Sequence, residues 1–462
     1  MKKRPGFYIA LVLFLAAAAG CPQPDSQQPV KRELVIKQGI NQTDPQVRVL
    51  DIDPGETITV SIWDPDTGQR LPGEAVSNTA SVTAAPYGQN FRITGASPGG
   101  MGIVTFKGPE LDGELRVFVR NWKNSEVKRN AIYADMAKYP FSDETYDYDL
   151  TPDANGVYPP NSQAAYYLIR DAGFHYEAPD GISSRTGRKV NGDIPRTDYR
   201  PVHPVPHIIQ VNDSDYLANA LPSSFTLNKE VLEFIMHFEV DGDMVGGYQD
   251  RQRLEIKTMD GANDNPDMYS RGGGDTFTHR WKFRLPADFR VSAEYTHIHQ
   301  VKPEGGDSGN PVFTLTARKL RTGNEVLQLI YRGPTRSNGD PSVNWYPCQV
   351  DLEPFKGEWI RAEETITYDS PGAYRLRLVR IRDMKVLMEY IYSPEQYQEF
   401  DPFVMYRPEN SYIRPKFGLY RRIMHLTPFG LPNPEDPVTE FLAENNEVVV
   451  LYADFEMDKL IR

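Results

Sequence analysis

The chain has 462 residues and a formal net charge of −12 at pH 7. This acidic balance argues against nucleic acid as a partner, because such binding relies on Lys and Arg side chains that neutralise phosphates. It leaves room for a local basic cleft that holds another anionic polymer. The 35 Gly, 38 Pro and 26 Tyr residues favour a fold with many turns and aromatic side chains, as in large all-β proteins.

The first 20 residues are organised like a secretory signal. Basic residues 2–4 precede the apolar run Phe7–Ala19, which is shorter than the ~20 apolar residues of a transmembrane helix. The run ends in Ala18–Cys21, which resembles a bacterial lipobox and implies cleavage before Cys21 and lipidation of its sulfur. The alternative is an ordinary signal peptide followed by an incidental cysteine.

Residues 21–32 are rich in Gln, Pro and Ser, which is the composition of a flexible tether. Pro22 rather than Asp follows the cysteine, a pattern typical of sorting to the outer membrane in a Gram-negative cell. We therefore expect a monomer that is lipid-anchored at the cell surface or in the periplasm. Cys348 is the only other cysteine, so we expect no intrachain disulfide in the mature chain.

Residues 33–121 predict a small β-sandwich. Turn clusters such as Asp53–Gly55 and Ser97–Gly100 separate strands in which apolar and polar residues alternate. The predicted strands are Glu33–Lys37, Thr57–Trp63, Asn90–Thr94, Gly102–Lys107 and Gly113–Val119. The segment Gly100–Asn121 resembles the last two strands of bacterial immunoglobulin-like surface domains, which implies a spacer or a weak binder. No catalytic constellation is predicted in this region.

Residues 122–222 form a connector that is harder to interpret. The pattern predicts two helices, Asn124–Tyr139 and Gln163–Gly173, on either side of an acidic, turn-rich stretch. Packing between domains is one interpretation of this connector. A contribution to one rim of a cleft is the other, and the sequence leaves both open.

Residues 223–462 predict a concanavalin-like β-jelly roll, because long strands recur without a long amphipathic helix between them. The predicted strands are Val231–Val240, Asp250–Thr258, Phe277–Leu285, Ser292–Lys302, Val312–Lys319, Val326–Arg332, Glu358–Tyr368, Gly372–Ile381, Lys385–Ile391, Ser411–Tyr420 and Val448–Glu456. We expect two curved sheets, one of which is concave and carries the functional site.

Three of these strands have one ionisable face and one mostly apolar face, since side chains alternate across a strand. The ionisable faces hold Arg251, Arg253, Glu255 and Lys257 in the first strand, His297 and His299 in the second, and Tyr412, Arg414, Lys416, Gly418 and Tyr420 in the third. The sequence therefore predicts one surface that combines arginine, lysine, histidine and tyrosine.

This set of residue types suits β-elimination on a uronic acid polymer. The proton to be removed lies beside a carboxylate, so a cation or hydrogen-bond donor must first stabilise the enolate-like intermediate. A base then takes the proton, and an acid protonates the departing glycosidic oxygen. Histidine titrates near neutrality and suits the base role. Tyrosine beside Arg and Lys can serve as base, acid or both, and the scheme requires no metal or cofactor.

The three strands resemble the signature strands of alginate-lyase-like polysaccharide lyases, the family 7 type and its jelly-roll relatives. Arg253–Lys257 is similar to the family's Arg-Thr/Ser-Glu-Leu-Arg strand, His297–His299 to its Gln-Ile-His strand, and Lys416–Tyr420 to its Lys-Ala-Gly-x-Tyr strand. The resemblance covers about residues 200–462 and places His299 at the family's catalytic histidine and Tyr420 at its catalytic tyrosine.

The resemblance implies a role for each matched residue. Arg253 and His297 would neutralise the carboxylate, His299 would act as the base, and Tyr420 as the acid or shared proton carrier. His297 stands where the family has a glutamine, with Gln300 beside the pair, and Leu254 stands where it has Thr or Ser. The residues expected to bind substrate are Arg251, Glu255, Lys257, Gln300, Arg414 and Lys416. Glucuronan, alginate and other glucuronate-containing polymers all remain possible substrates.

Two alternatives compete with a lyase. A glycosidase would use paired carboxylates, but the Glu-x-Asp-x-x-Glu run of related jelly-roll glucanases does not occur. A non-catalytic glycan-binding lipoprotein of the same fold would use the same basic and aromatic residues for capture alone.

The remaining histidines and acidic turns carry weaker signals. Zinc is not predicted because no close Cys/His spacing of the usual kind occurs. A structural calcium ion could use Asp241–Asp243 or Asp454–Asp458, although most short acidic turns bind no metal. Packing or structural roles are favoured for five further histidines: His203, His207, His237, His279 and His425.

Overall fold

The computed structural model describes residues 33–132, 169, 172–177, 208–211, 213, 215–220, 231–237, 251–258, 265–289, 291–292, 294–334, 344–392, 403–407, 409–422 and 447–462. Within these residues the fold is all-β, as predicted, with twenty-three strands. The helical segments among them are short: four 3-10 turns, Asn124–Glu126, Pro266–Met268, Glu353–Phe355 and Ile381–Asp383, and the π-helix Tyr216–Ala220. No helix in the described part of the chain is long and apolar enough to cross a membrane.

The first eight strands form a β-sandwich of two four-stranded sheets. They are β1 Val35–Gln38, β2 Val49–Ile52, β3 Thr57–Trp63, β4 Glu74–Ser77, β5 Val82–Tyr87, β6 Asn90–Gly95, β7 Met101–Lys107 and β8 Asp112–Val119. The sheet orders are β1-β3-β6-β5 and β2-β8-β7-β4. A core that includes Leu34, Val60, Phe91, Phe106 and Val117 lies between the sheets. All five strands predicted here are present; β2, β4 and β5 were not predicted.

The remaining strands form two larger sheets. The front sheet has the order β10 Phe174–Glu177, β13 Arg251–Thr258, β22 Tyr412–Arg422, β15 Thr296–Glu304, β16 Phe313–Lys319, β17 Glu325–Arg332 and β18 Asn344–Asp351. The back sheet has the order β11 Ile208–Val211, β12 Val231–His237, β23 Glu447–Leu460, β14 Asp275–Arg284, β19 Trp359–Tyr368, β20 Ala373–Arg380 and β21 Lys385–Tyr392, and β9 Val127–Ile132 also pairs with β23.

Each of the eleven strands predicted after residue 222 overlaps an observed strand. The sequence gives no clear signal for β18, which contains Pro347 and alternates between exposed and half-buried residues. Because β18 is the edge strand of the front sheet, a proline that cannot donate a ladder hydrogen bond is tolerated there.

The helix predicted over Asn124–Tyr139 is wrong for its described part. A single 3-10 turn, Asn124–Glu126, leads directly into β9. β9 pairs with the second half of β23, from Val127 beside Leu460 to Ile132 beside Phe455. Pairing with the part of β23 that extends beyond β12 therefore overrides the local helical tendency. The other predicted helix lies outside the described residues except for Ile169, Ala172 and Gly173.

The front and back sheets pack face to face over one apolar core. Trp281 on β14 contacts Phe417 on β22, with ring centroids 5.1 Å apart. Phe417 also packs against Phe455 on β23, at 5.1 Å. Two sheets joined in this way have the architecture of a jelly roll, and the outer face of the front sheet is left to carry a site.

The β-sandwich packs on the opposite side of the molecule, against the outer face of the back sheet. Val49 and Phe118 share a buried cluster with Trp359 and Ile381. Ion pairs surround this apolar contact: Arg361 with Asp51, Arg120 with Asp53 and Glu456, and Arg129 with Asp53 and Asp458.

Candidate active site

The ionisable faces predicted from the sequence belong to three adjacent strands, since β13, β22 and β15 lie side by side in the front sheet. Their register places Arg253 opposite Tyr420 and Tyr420 opposite His297. Three residues that are far apart in the sequence therefore form one row across the sheet. We call this row, together with Arg251 and Tyr295, the arginine end of the site.

Tyr420 is the centre of the arginine end. The guanidinium carbon of Arg253 lies 3.9 Å from the centroid of the Tyr420 ring. Nη1 of Arg251 donates a hydrogen bond of 3.2 Å to the Tyr420 hydroxyl. Tyr295 stacks on His297 with ring centroids 4.6 Å apart, and the His297 ring lies 5.8 Å from that of Tyr420. Arg251, Arg253 and Tyr420 are each partly exposed, so a ligand can reach this row.

His297 is held as a neutral imidazole. Burial lowers its pKa well below the ordinary value, and the charges of Arg332, Arg318 and Arg253 lower the pKa further. Its Nδ1 forms a hydrogen bond of 2.8 Å with Oγ1 of Thr316 on β16, which fixes the ring orientation. A neutral imidazole can accept a proton, whereas an imidazolium cannot.

The second part of the site, the lysine end, consists of Glu177, Glu255, Lys257, Gln300 and Lys416, all of which are buried. Glu177 on β10 accepts hydrogen bonds from Lys257 Nζ, at 2.8 Å, and from Lys416 Nζ. Glu255 accepts one from Gln300 Nε2 and lies 3.9 Å from Lys416 Nζ. Arg253 Nη1 lies 3.3 Å from a carboxylate oxygen of each glutamate, so it links the two ends.

Arg414 is buried two residues before Lys416 on β22. Its Nη2 donates to Glu304 at 2.6 Å, and its Nη1 donates to the backbone carbonyl of Thr258 at 3.0 Å. These contacts tie β22 to β15 and β13. Arg414 was predicted to bind substrate, and these hydrogen bonds show that it also connects neighbouring strands of the front sheet.

The structure contradicts the predicted location of His299. We expected His297 and His299 to share a face, but the pairing of β15 with both neighbours shifts register between them. His299 lies opposite Phe417 and stacks on it with ring centroids 4.8 Å apart. It therefore faces the core between the sheets, on the other side of the front sheet from Tyr420.

A β-bulge at Ile298 causes this change of face. An extra residue on one strand turns two successive side chains to the same side, so Ile298 and His299 both enter the core while Gln300 returns to the outer face. The buried Tyr452 hydroxyl, in contact with the carbonyl oxygens of Ile298 and Gly418 at 2.7 and 3.2 Å, supports the bulge from the back sheet.

Gly418 is needed by the sheet itself. Its φ is +136°, and a Cβ atom there would lie 2.2 Å from the carbonyl oxygen of Leu254 on β13. The described contacts show that it lets the neighbouring backbone approach closely.

The buried environment of His299 is ionic. Its Nδ1 lies 2.9 Å from the carbonyl oxygen of Lys416, and its Nε2 lies 3.0 Å from Oε2 of Glu364 on β19. Both partners are acceptors, so the doubly protonated imidazolium is the form that satisfies both contacts. Burial raises the pKa of Glu364, but His299 and His279 outweigh this effect and hold the pKa well below its ordinary value.

Within the described residues, one group of side chains has donor atoms close enough to suggest a metal site: His279, His299 and Glu364, within 4.8 Å of one another. The Glu364 carboxylate lies 2.9 Å from His279 Nδ1 and 3.0 Å from His299 Nε2, and Tyr374 donates to it at 2.7 Å. Ligands at ~2.0–2.2 Å around a tetrahedral ion would lie roughly 3.3 Å apart. The spacing therefore favours direct hydrogen bonds, and we call these four residues the Glu364 cluster.

The other sequence candidates are placed as follows. His279 packs in the core, as favoured. Asp454 pairs with Lys282, while Asp458 pairs with Arg129 and Arg280, so these carboxylates are occupied by cations. The candidates that lie outside the described residues, wholly or in their side chains, are Cys21, His203, His207, His237, Asp241–Asp243 and His425.

Sequence reasoning missed Glu177 and Tyr295. Glu177 lies in the connector, where no strand was predicted, yet β10 pairs with β13 and sets Glu177 beside Glu255. The connector therefore contributes a residue to the site, which is one of the two interpretations left open. Tyr295 lies just before β15 and two positions before His297. That spacing was the available signal, because side chains two positions apart on a strand share a face.

Comparisons with known proteins give a weak structural likeness. No protein-family model matches the chain, and no curated protein matches it. Among solved structures, it is similar to an endo-β-1,4-glucuronan lyase from the fungus Trichoderma reesei, with 14% identity over 61% of this chain and 94% of that chain and a TM-score of 0.34.

Two alginate lyases are also similar to the chain. A member of polysaccharide lyase family 7 has 12% identity over 63% of this chain and 96% of its own, with a TM-score of 0.34. One from Pseudomonas aeruginosa has 12% identity over 50% and 82%, with a TM-score of 0.29. At these TM-scores the likeness carries no argument about the activity of this chain.

Proposed function

We propose that the chain is a polysaccharide lyase that cleaves a uronic-acid-containing polymer by β-elimination. The observation that carries this proposal is the row formed by Arg253, Tyr420 and His297 on the outer face of the front sheet. The row combines a cation, a phenol held between two guanidinium groups, and a neutral imidazole. Those are the three functions that the reaction needs.

Each residue of the row has a defined task. Arg253 and Arg251 bind the uronate carboxylate, which stabilises negative charge that spreads onto it when the C5 proton leaves. His297 takes that proton, because its lowered pKa keeps the imidazole neutral. The C4–O bond then breaks, a C4–C5 double bond forms, and the Tyr420 hydroxyl protonates the departing oxygen.

His297 thus takes the base role that the sequence resemblance had given to His299. His299 is separated from the row by the front sheet itself and is bound to Glu364. Arg253 retains the carboxylate-neutralising role that it was expected to share with His297.

The test is the near-ultraviolet absorbance of unsaturated sugar ends on a panel of polymers: alginate, polyglucuronate and unsulfated glycosaminoglycans. We expect at least one polymer to give product. We expect Tyr420→Phe to lower kcat/KM by about 10²-fold or more through loss of proton transfer. Tyr412→Phe is the matched control, since Tyr412 lies on the same face of β22 but packs on Tyr269, and it should retain activity. Equal activity in both variants would remove Tyr420 from the mechanism.

A second candidate is a non-catalytic glycan-binding protein. It is favoured by one observation: the lysine-end cations are already paired with Glu177 and Glu255, as in a capture surface with fixed geometry. Retained polymer binding without any unsaturated product, across the whole panel, would support this candidate over the lyase.

We also propose that Cys21 anchors the protein to the outer membrane and that the β-sandwich is an immunoglobulin-like spacer. The lipobox pattern at Ala18–Cys21 supports the anchor. Cell fractionation of a Cys21→Ser variant tests it: the variant should move from the membrane to the soluble fraction, and unchanged membrane association would contradict the anchor.

A further inference from the structure

A second pair of arginines lies on the outer face of the front sheet, on the other side of His297 from Arg253. Arg318 is on β16 and Arg332 is on β17. Both face outward, because the residues with which they alternate belong to the core between the sheets. β16 and β17 lie on one side of β15 in the front sheet, and β22 and β13 lie on its other side. His297 on β15 is therefore flanked by arginines in both directions.

No carboxylate among the described residues forms an ion pair with either arginine of this pair. The guanidinium carbon of Arg318 lies 5.9 Å from the centroid of the Tyr346 ring, and Nη1 of Arg332 donates a hydrogen bond of 2.9 Å to Oδ1 of Asn310. The buried Nε atom of each arginine has no hydrogen-bond partner. Arg253, in contrast, has a carboxylate oxygen at 3.3 Å. The pair therefore keeps positive charge and N–H donors for a ligand.

A buried amide lies between the two arginines. Gln328 on β17 is opposite Thr316, which is two positions from Arg318 on β16, and it lies four positions before Arg332. Its side chain is buried, and its Nε2 donates a hydrogen bond of 2.6 Å to Oε1 of Gln349. Its Oε1 has no hydrogen-bond partner. Because most buried polar atoms are paired in the folded state, a free acceptor beside free donors indicates a place for a ligand.

The charges of the pair act on the same region of the sheet. Burial lowers the pKa of Arg332, and the charge of Arg318 lowers it further. Burial also lowers the pKa of His297, with further contributions from Arg332, Arg318 and Arg253. The field beyond His297 is therefore positive, which favours an anionic ligand.

One carboxylate cannot pair with both groups of arginines. The guanidinium carbon of Arg253 lies 3.9 Å from the ring centroid of Tyr420 on β22, whereas that of Arg318 lies beside Tyr346 on β18. β22 and β18 are four strands apart in the front sheet, which corresponds to about 19 Å. A ligand that pairs with both groups therefore carries two anionic groups.

We infer that Arg318, Arg332 and Gln328 form a second carboxylate subsite, which binds another uronate of the polymer whose reacting uronate lies at Arg253. This inference rests on the proposed function for the identity of the polymer. A guanidinium group suits a carboxylate because its N–H donors match the two oxygens in a fork. Oε1 of Gln328 accepts a hydrogen bond from a hydroxyl group of the same sugar.

The experiment measures the binding of polyglucuronate and alginate oligosaccharides, in which every sugar is a uronate, by calorimetry. The full chain carries Tyr420→Phe, so that cleavage is slowed. We expect Arg318→Gln and Arg332→Gln each to weaken the binding of at least one probe about tenfold, which is the effect of losing one charge-assisted hydrogen bond.

Arg321→Gln is the matched control. Arg321 is exposed in the turn that joins β16 to β17, so this variant removes the same charge from the same hairpin outside the subsite. Its affinity should stay within about twofold of the parent value. Arg318→Lys, which keeps the charge but loses the fork, should recover part of the affinity.

Melting curves check that each variant folds. Arg318→Gln leaves the hydrogen bond between Arg332 and Asn310 in place, so it keeps the test valid if Arg332→Gln does not fold. Equal losses in Arg318→Gln and Arg321→Gln would indicate a general effect of charge and would overturn the subsite. Parent-like binding in both Arg318→Gln and Arg332→Gln, or no binding of either probe by the parent, would also overturn it.

The outcomes separate this inference from the proposed function. Unsaturated product from the unmodified chain, with parent-like affinity in the Arg318 and Arg332 variants, would overturn the subsite and leave the lyase proposal standing. Weakened binding in these variants, with no unsaturated product from the unmodified chain on any polymer, would overturn the lyase proposal and leave the subsite standing.

Discussion

His297 and His299 lie two positions apart on β15, but their surroundings differ in almost every respect. His297 is on the outer face, where its Nδ1 contacts the Thr316 hydroxyl and where burial, together with three arginine charges, holds its pKa well below the ordinary value. His299 is in the core, between a backbone carbonyl and the Glu364 carboxylate, where the imidazolium fits. The comparison teaches that one β-bulge places one histidine on the outer face, where we propose that it acts as the base, and the other in the core, where it pairs with Glu364.

The first test of this difference removes the outer histidine, His297. We expect His297→Ala to lower kcat/KM by about 10²–10⁴-fold, which is the range for the loss of a general base. The melting curve and circular dichroism should show that the fold remains. Activity above about a tenth of the parent value would show that another group removes the proton.

The second test removes the inner histidine, His299. We expect His299→Gln to lower the free energy of unfolding by about 3–5 kcal/mol, because it leaves the buried Glu364 carboxylate without its charged partner. Chemical denaturation measures this change. Activity per folded molecule should be largely retained. A variant as stable as the parent but inactive would return His299 to the mechanism.

A double-mutant cycle with Glu364→Gln is the control for the core pair. Because the two residues are in contact, their effects should not add, and Glu364→Gln should recover part of the stability lost in His299→Gln. Simple additivity would mean that the ion pair contributes little beyond packing.

The third test measures how kcat/KM depends on pH. The pKa of His297 lies below its ordinary value of 6.5, so the neutral base is lost, and kcat/KM falls, only as the pH drops through that lowered pKa. Arg332→Gln removes one cation that lowers the pKa, so the acid limb should move to higher pH. Arg382→Gln, in a 3-10 turn beside the back sheet, should leave the limb in place. A limb that is identical in both variants would contradict the base role of His297.

Much of the fold can be predicted from the sequence, because the alternation of apolar and polar residues along a strand depends only on residues that are close together in the chain. β13 and β22 are regular against each other, so the expected faces of Arg253, Lys416 and Tyr420 are confirmed. The same rule fails for β15, whose register shifts against both neighbouring strands between His297 and His299. The available signal is the polar pair His299 and Gln300, which interrupts alternation in the way that an inserted residue does.

Other parts of the site depend on long-range pairing. Glu177 reaches the site only because β10 adds to the edge of the front sheet beside β13. Glu364 becomes the partner of His299 only because the back sheet packs over the front sheet. Neither contact leaves a periodic pattern in the sequence, since each depends on which strands become neighbours.

The packing of the β-sandwich against the back sheet decides how the protein can be divided for experiments. A fragment that starts at residue 223 would lack β9, β10 and β11, each of which pairs within the two large sheets. It would also uncover Trp359, which packs on Tyr216 and Phe118, and would remove Arg129 from Asp458. Such a fragment would expose an apolar patch on the outer face of the back sheet, and its candidate site would lack Glu177. The smallest portion suited to recombinant work therefore begins at the first strand, near residue 33.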